Sequence, residues 1–385
     1  MRVLRINADF RLLWLGSSLS LVGDGMTFVA LTWLVLSQPD GTQRLGLLTV
    51  CYTLPVFAGG LLTGPLLDRF DKRYVIAADS LVRGAAMASV PLAAAIGEIP
   101  AVLPYVVAAV YGLFKMVPLA GFPAAIPDLV PEEEQDAANA LESISFSVAG
   151  MAGPALGGLL IGRFGSEAVL AFDAVSFLVF AVTALAVRRP LPPGQRPDSR
   201  AGRVSLLLRD RVLVITTLAF MAFNIAAGML LVTGPWLAKT QLYGGAQALG
   251  LLLAALSIGE LIGSALAGAR PPKSRRIAAI ATVQLLAAGA FLVVAALPYA
   301  AFLLVGLFSA PMTVWAQSLR MRRIPAHLRG RGFAILRTLM QATPPAGAAL
   351  VTPLLAGGRL VTAVTVMAAL AGLPALALLA GRRLA

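Results

Sequence analysis

The sequence alternates long apolar runs with short charged loops, and this pattern constrains its fold more than any other feature. Of its 385 residues, 58% are hydrophobic and 13% are charged, whereas about 25% of the residues in a water-soluble domain are charged. Each run is close to the length of about 20 residues that a helix needs to cross a bilayer. Because backbone groups inside lipid must be hydrogen-bonded internally, we predict that the runs are membrane-spanning helices.

We therefore expect an all-α polytopic membrane protein with about twelve transmembrane helices. We number the predicted spans 1 to 12 in chain order. Their boundaries are residues 10–37, 45–67, 75–96, 101–123, 139–162, 168–187, 211–237, 248–268, 277–297, 300–318, 332–356 and 360–380.

The distribution of Lys and Arg predicts how the chain is oriented. The net charge is +13, and the loops after even-numbered spans are rich in basic residues, except for an acidic loop after span 4. Loops after odd-numbered spans hold few bases. Because Lys and Arg accumulate on the cytoplasmic side of membrane proteins, both termini are expected in the cytoplasm. We expect the protein in the inner or plasma membrane of a cell.

Composition argues against several functions. The single cysteine, Cys51, allows no disulfide within the chain, and with one histidine, His327, a His/Cys metal site is not expected. The sequence has no basic stripe with interleaved aromatic residues, so we do not expect nucleic acid as a partner. A membrane-embedded enzyme would need a nucleophile–base or metal constellation, so it is a remote alternative. We expect no cofactor, and the proton gradient as the energy source.

The chain is predicted to consist of two related halves. A Pro/Gly-rich stretch, residues 188–209, separates two sets of six spans. We predict an N-terminal bundle of residues 1–187, a cytoplasmic linker of residues 188–209 and a C-terminal bundle of residues 210–385. The halves share short sequences, such as Leu-Gly-Leu-Leu at 45–48 and again at 249–252. Such internal repeats are typical of transporters whose substrate site lies between two halves.

Two short motifs stand out in the first half. The loop between spans 2 and 3 reads Gly-Pro-Leu-Leu-Asp-Arg-Phe-Asp-Lys-Arg over residues 64–73. It is too highly charged to lie in lipid, so it must lie at the water interface. Span 5 contains Gly-Pro-Ala-Leu-Gly-Gly over residues 153–158. Glycines at this spacing give the helix a smooth face against which another helix can pack closely.

These motifs, the two halves and the central loop together resemble the major facilitator superfamily of transporters. The sequence Ile-Pro-Asp-Leu-Val-Pro at 126–131 resembles the branch that contains the enterobactin exporter and bacterial macrolide and multidrug efflux proteins. The resemblance implies a monomeric, proton-coupled antiporter that exports a small amphipathic compound, such as a drug, siderophore or secondary metabolite, by rocker-switch alternating access. An importer or a lipid or lysolipid flippase of the same fold is the alternative.

The resemblance also assigns roles to both motifs. The loop would be a cytoplasmic gate in which Asp68 faces residues 330–333 and the basic residues pair with acids on neighbouring helix ends. This gate motif comprises Gly64, Asp68, Arg69, Lys72, Arg73 and Asp128. The span 5 motif would form a proton-tight seam between the halves, and it comprises Gly153, Pro154, Gly157 and Gly158. The alternatives are a solvated loop that only sets topology, and ordinary helix packing.

Charged residues inside predicted spans are costly and usually functional. Candidates for proton coupling or substrate binding are Asp24, Lys115, Asp173 and Glu260. The alternative is a structural ion pair, for example between Asp24 and Lys115. Asp79 and Arg83 are four residues apart near the start of span 3, where we expect a structural pair.

Methionine and aromatic side chains near the middle of spans 1 and 7 suit a cavity that accepts varied ligands. Packing against lipid is the equal alternative for each of them. The candidate cavity-lining residues are Met26, Phe28, Phe223, Asn224 and Met229.

Overall fold

In the computed structural model the chain forms twelve helices over the residues that the structure describes. The described residues are 7–193, 209–270, 272, 275–324, 336, 339–340 and 342–380. The helices are α1 (Ala8–Leu36), α2 (Gly41–Arg69), α3 (Lys72–Ile96), α4 (Leu103–Phe114), α5 (Met116–Leu129), α6 (Glu132–Ala186), α7 (Arg211–Thr240), α8 (Ala246–Ala269), α9 (Arg276–Val293), α10 (Pro298–Arg323), α11 (Pro344–Ala356) and α12 (Leu360–Ala380).

Ten segments within this described part are long and apolar enough to cross a membrane, which confirms the predicted all-α polytopic fold. α4 and α5 form one span that is interrupted at Lys115, because Pro118 has no N–H to donate to the Phe114 carbonyl. α6 covers predicted spans 5 and 6 and kinks at Gly165, whose φ of 83° suits glycine. Predicted span 11 begins outside the described residues, and α11 is its later part.

Reciprocal glycine contacts join α2 to α4. A Cβ added to Gly59 would lie 1.8 Å from the carbonyl oxygen of Leu113, and a Cβ added to Gly112 would lie 2.1 Å from that of Tyr52. Both distances are far below van der Waals contact, so any larger residue would force the helices apart. Small residues allow this close backbone approach between membrane helices.

The second half repeats this packing between α8 and α10. Gly263 and Gly306 approach the carbonyl oxygens of Leu307 and Leu256, which would lie 2.3 and 2.1 Å from an added Cβ. Gly263 of α8 follows its counterpart Gly59 of α2 by 204 residues (263 − 59). Gly306 of α10 follows its counterpart Gly112 of α4 by 194 residues (306 − 112). The sequence repeat is therefore also a repeat of helix packing, as expected for a transporter of two related halves.

A second pair of helices repeats in the same way. Gly153 of α6 approaches the Val22 carbonyl of α1, and Gly347 of α11 approaches the Ile225 carbonyl of α7. The offsets are 194 residues for the glycines (347 − 153) and 203 for their partners (225 − 22). These offsets identify which positions of the two halves correspond.

The contacts divide the chain into two compact units. The first unit contains Met1–Arg196 and Leu237–Gly250, and the second contains Pro197–Trp236 and Leu251–Ala385. The end of α7 and the start of α8 therefore pack with the first unit. The division into two bundles and a linker at residues 188–209 stays our proposal.

The close approach of α2 and α4 leads to a stability prediction. We expect Gly112→Ala to destabilise the protein by about 1–3 kcal/mol, because the new methyl group meets the fixed backbone of Tyr52. Gly162→Ala on α6 is the matched control, since an added Cβ there has no described atom within 4 Å. It should be neutral or stabilise the helix by up to about 1 kcal/mol. Thermal unfolding of the purified protein in detergent measures both, and equal midpoints for the two variants would contradict the prediction.

Candidate functional site

Three charged side chains meet in the core of the first unit, and we call them the ion network. Asp24 comes from α1, whereas Asp79 and Arg83 come from α3. Arg83 donates from Nη2 and Nε to Asp79 Oδ2, at 2.5 and 3.1 Å, and from Nη1 to Asp24 Oδ1, at 3.3 Å. The guanidinium therefore bridges a carboxylate on its own helix and a carboxylate on the neighbouring helix.

The ion network lies deep in the unit. The side chains of Arg83 and Asp79 are 0% and 1% exposed, and the ring of Phe177 lies 4.3 Å from the guanidinium carbon. α3 begins at Lys72, so Arg83 is about 16 Å along its axis, half the thickness of a bilayer core. The predicted pair of Asp79 and Arg83 is therefore present, and its depth in the membrane stays a prediction. In the sequence, this pair was indicated by two opposite charges at positions i and i+4.

Asp173, on α6, lies beside the ion network. It is fully buried and accepts hydrogen bonds from Thr27 Oγ1 and from Ser176 Oγ, the latter at 2.8 Å. Its carboxylate packs against Gly23, where an added Cβ would lie 2.0 Å from Oδ1. The glycine that precedes Asp24 therefore makes room for another carboxylate, and the two acids interact electrostatically.

Lys115 is paired with a phenol. Its Nζ lies 2.8 Å from the hydroxyl oxygen of Tyr52, and the Tyr52 ring stacks on Tyr111 with 5.3 Å between centroids. A direct ion pair between Asp24 and Lys115, the structural alternative from the sequence, is therefore wrong. Arg83 takes that place, since its planar fork can reach two carboxylates at once.

The buried charges do not balance. The site contains three carboxylates, those of the ion network and of Asp173, but two cations, Arg83 and Lys115. Full ionisation would leave a net negative charge, which is costly at this depth, and one bound proton would remove it. Asp24 is the accessible carboxylate, because its side chain is 17% exposed whereas Asp79 is 1% exposed. Asp24 is therefore the most exposed of the three carboxylates.

The second half differs at the corresponding positions. The repeat offsets place Ala227 where the first half has Asp24, and Ser309 where it has Lys115. Glu260, the remaining candidate, is exposed on α8 and forms no ion pair with the residues that the structure describes. The candidate charges are thus concentrated in the first unit.

The charged loop between α2 and α3 connects three parts of the first unit. Lys72 Nζ lies 2.8 Å from Oδ2 of Asp128, the expected partner at the end of α5, and it also donates to the Pro192 carbonyl. Arg73 Nη1 donates to the Val187 carbonyl at 2.9 Å. These two basic residues therefore bind the start of α3 to α5 and to the segment that follows α6. This structural role is additional to any effect of their charge on topology.

Asp71 is the N-cap of α3. Its Oδ1 accepts a hydrogen bond from the Arg73 N–H at 2.9 Å, and its Oδ2 lies 2.9 Å from Arg73 Nη2. Partial burial by itself would raise the pKa of Asp71, but the hydrogen bonds and charge of Arg73 lower the pKa overall. The cap is therefore charged at neutral pH, where a charged N-cap stabilises the helix.

The rest of the gate motif has fewer described contacts. Asp68 is half-buried and Arg69 is exposed. A Cβ added to Gly64 would have no described atom within 4 Å. The predicted partner of Asp68, residues 330–333, lies outside the described residues, so the contact between them stays a prediction.

The glycine motif of predicted span 5 packs α6 against α1. A Cβ added to Gly153 would lie 2.6 Å from the Val22 carbonyl oxygen, and one added to Gly157 would lie 2.9 Å from Met26 Cα. For these two glycines the structure shows ordinary helix packing within the first unit.

The remaining members of the motif have further partners. A Cβ added to Gly158 would lie 2.4 Å from the carbonyl oxygen of Ala246, in the first turn of α8. The ring of Pro154 meets Gly25, where an added Cβ would lie 2.8 Å from the proline Cδ. Glycines on both sides of Asp24 therefore serve close helix contacts.

Most candidate cavity-lining residues are packed between helices. Met26 and Met229 are 8% and 0% exposed, and their role in a substrate cavity between the halves stays a prediction. Phe223 packs on Phe291 with 5.9 Å between ring centroids. Asn224 Nδ2 donates to the Met340 carbonyl at 3.0 Å. Phe28 does face a small cavity, which is lined by Phe28, Leu31, Thr32, Leu48, Thr49, Tyr52 and Ala108.

Comparisons with known proteins agree with this architecture. Residues 13–348 match the family model of the Major Facilitator Superfamily. The chain is 27% identical to the multidrug efflux pump Tap of Mycolicibacterium fortuitum over 86% of its length and 85% of that protein. It is 24% identical to macrolide efflux protein A of Streptococcus pyogenes over 47% of its length and 45% of that protein. The crystal structure of the peptide transporter POT in complex with sulfate superposes with a TM-score of 0.78 at 13% identity, covering 98% of this chain and 94% of that one.

Proposed function

Because this chain belongs to the major facilitator superfamily, we propose that it is a proton-coupled exporter of a small amphipathic compound. Relatives named as a multidrug efflux pump and a macrolide efflux protein support the export direction and a drug-like substrate. The energy source would be the proton gradient. The chain would act as a monomer in the inner or plasma membrane, with both termini in the cytoplasm, as the basic loops favour.

The observation that carries the proposal is the unbalanced charge around Asp24. Protonation of an accessible carboxylate that shares Arg83 with Asp79 weakens one of two competing ion pairs. A proton bound from outside would neutralise the site, and its release to the cytoplasm would restore the negative charge. If two conformations of the protein bind this proton with different affinities, proton binding shifts the equilibrium between them. Proton entry would in this way be coupled to the conformational change.

Alternating access would arise from movement of residues 1–187 against residues 210–385. The repeated glycine contacts support this proposal, because each half is held together by the same helix pairs and can move as a body. The substrate would bind between the halves near the middle of the membrane. Phe28 and the half-buried Lys115 are candidates for its contacts in the first half.

Proteoliposomes with an imposed pH gradient test the coupling directly. We expect radiolabelled erythromycin, the macrolide probe, to accumulate on the acidic side, because an antiporter moves its substrate against the direction of proton flow. A pH-sensitive dye should report proton movement that depends on the drug. Vesicles without protein and vesicles at equal pH are the controls.

Each alternative has its own outcome in this assay. Accumulation on the basic side would indicate a proton-coupled importer. A rate of erythromycin transport that does not depend on the pH gradient would contradict proton coupling. Movement of fluorescent lysolipid without movement of erythromycin would favour a flippase of the same fold.

A further inference from the structure

One arginine of the second unit is buried and forms no ion pair with the residues that the structure describes. Arg320 lies in the last turn of α10 and is 4% exposed. Its Nε and Nη2 atoms are buried and form no hydrogen bond with the residues that the structure describes. Its guanidinium carbon lies 5.0 Å from the ring centre of Phe220 on α7, a contact that shields the charge without neutralising it. An unpaired buried cation is unfavourable, so this side chain needs a partner.

A second unsatisfied polar group lies on the helix that packs against Arg320. The Thr217 hydroxyl is buried and has no hydrogen-bond partner among the described residues, and it precedes Phe220 by one turn on the same face of α7. α7 and α10 run antiparallel here, because Arg323 pairs with Asp210 just before α7, whereas Arg320 contacts Phe220 further along α7. Leu213 and Ile324 also belong to one buried cluster. Thr217 lies between Leu213 and Phe220 on the same face of α7, the face that packs on the end of α10. We call these two groups the Arg320 site.

The second unit contains few acidic side chains that could pair with Arg320. Residues 261–385 contain no Asp or Glu. Asp210 caps the start of α7 and lies 3.2 Å from Arg323, with which it is already paired. Glu260 is in the middle of α8, and its backbone packs beside Gly306, 14 residues before Arg320 on α10 (320 − 306), or about 21 Å along that helix. Asp198, in the predicted linker, lies outside the described residues and is addressed by the experiment below.

We propose that the Arg320 site binds a phosphate group, supplied by an anionic lipid headgroup or by a phosphate ester from water. A guanidinium matches the oxygens of a phosphate with two parallel hydrogen bonds, and the Thr217 hydroxyl can donate a third. The site lies at the basic end of α10, beside Arg322 and Arg323. Basic pockets between helices on the cytoplasmic side are typical sites for anionic headgroups.

Ligand-dependent stability of the purified full-length protein tests this site. Phosphatidylglycerol or inorganic phosphate is titrated into protein in neutral detergent, and thermal unfolding is followed by tryptophan fluorescence. A ligand that binds the folded state raises the unfolding midpoint by mass action. We expect the wild type to respond to phosphatidylglycerol, to phosphate or to both, and Arg320→Met to bind at least about tenfold more weakly. Arg320→Lys should respond partially, and Arg163→Met, which removes an exposed charge from α6 in the first unit, should respond like the wild type.

The outcomes distinguish a lipid phosphate from a soluble phosphate, and they test the alternative that Arg320 has a partner within the chain. A response to phosphatidylglycerol alone assigns the phosphate to a membrane lipid, and a response to phosphate assigns it to a solute. An equal response of Arg320→Met and the wild type would overturn the site. In detergent without either anion, Arg320→Met should be as stable as the wild type or more stable, because it removes an unpaired charge. A less stable or unfolded Arg320→Met, or the same loss of response in Asp198→Asn, would show a partner within the chain and overturn the proposal.

Discussion

Asp24→Asn is expected to abolish accumulation driven by the pH gradient, lowering its initial rate at least about tenfold. Asparagine keeps the size of aspartate and can still accept a hydrogen bond from Arg83, so the contact at 3.3 Å can be retained. It cannot bind or release a proton, so the cycle would lose its coupled step. Exchange of erythromycin between equal concentrations across the membrane should continue, because it needs no net proton movement.

The matched control for this prediction is Asp40→Asn. Asp40 is exposed at the start of α2 with φ of 54°, a conformation that asparagine also tolerates. This variant should transport like the wild type. If Asp24→Asn keeps gradient-driven accumulation and Glu260→Gln loses it, the coupling group lies in the second unit and our assignment is wrong.

Arg83→Gln should destabilise the protein by about 3–5 kcal/mol, because it leaves buried carboxylates without their cation. Asp79 is affected most, since its side chain is 1% exposed and two hydrogen bonds from Arg83 serve it. Thermal unfolding in detergent and the yield of monodisperse protein measure the loss. The double variant Asp79→Asn with Arg83→Gln should recover much of the stability, because no uncompensated charge is left between them.

Arg323→Gln is the control for Arg83→Gln. It removes the same group from an ion pair with Asp210, but the side chains there are 37% and 26% exposed. Solvent screens such a pair, so the expected loss is below about 1 kcal/mol. If the two arginine variants lose the same stability, or if the double variant is no better than Arg83→Gln, the ion network does not stabilise the first unit as described.

The membrane-spanning helices were predictable from the sequence because their signal is local. A run of apolar residues favours lipid whichever neighbours it meets, and lipid requires a helical backbone. The break at Lys115 was missed although Pro118 is visible in the sequence, because proline is tolerated within membrane helices. The kink at Gly165 lies between predicted spans 5 and 6, as the loss of apolar character there indicated.

The candidate site was predicted only in part. Asp24, Lys115 and Asp173 were identified because a charge inside an apolar run is conspicuous. Their partners were not identified, since which side chains meet depends on the rotation and depth of each helix. Arg83 was placed near a helix end, yet it joins Asp24 across two helices.

The sequence by itself determined the helical membrane fold and the two related halves, and it predicts the orientation of the chain. These properties follow from the hydrophobicity and charge of short segments, which each segment carries alone. Only the tertiary structure decided that Arg83 bridges two carboxylates and that the glycines beside Asp24 make room for Asp173 and Pro154. It also showed that Arg320 is buried without an anionic partner among the described residues. Such features depend on the distances between atoms of different helices, and no single segment encodes those distances.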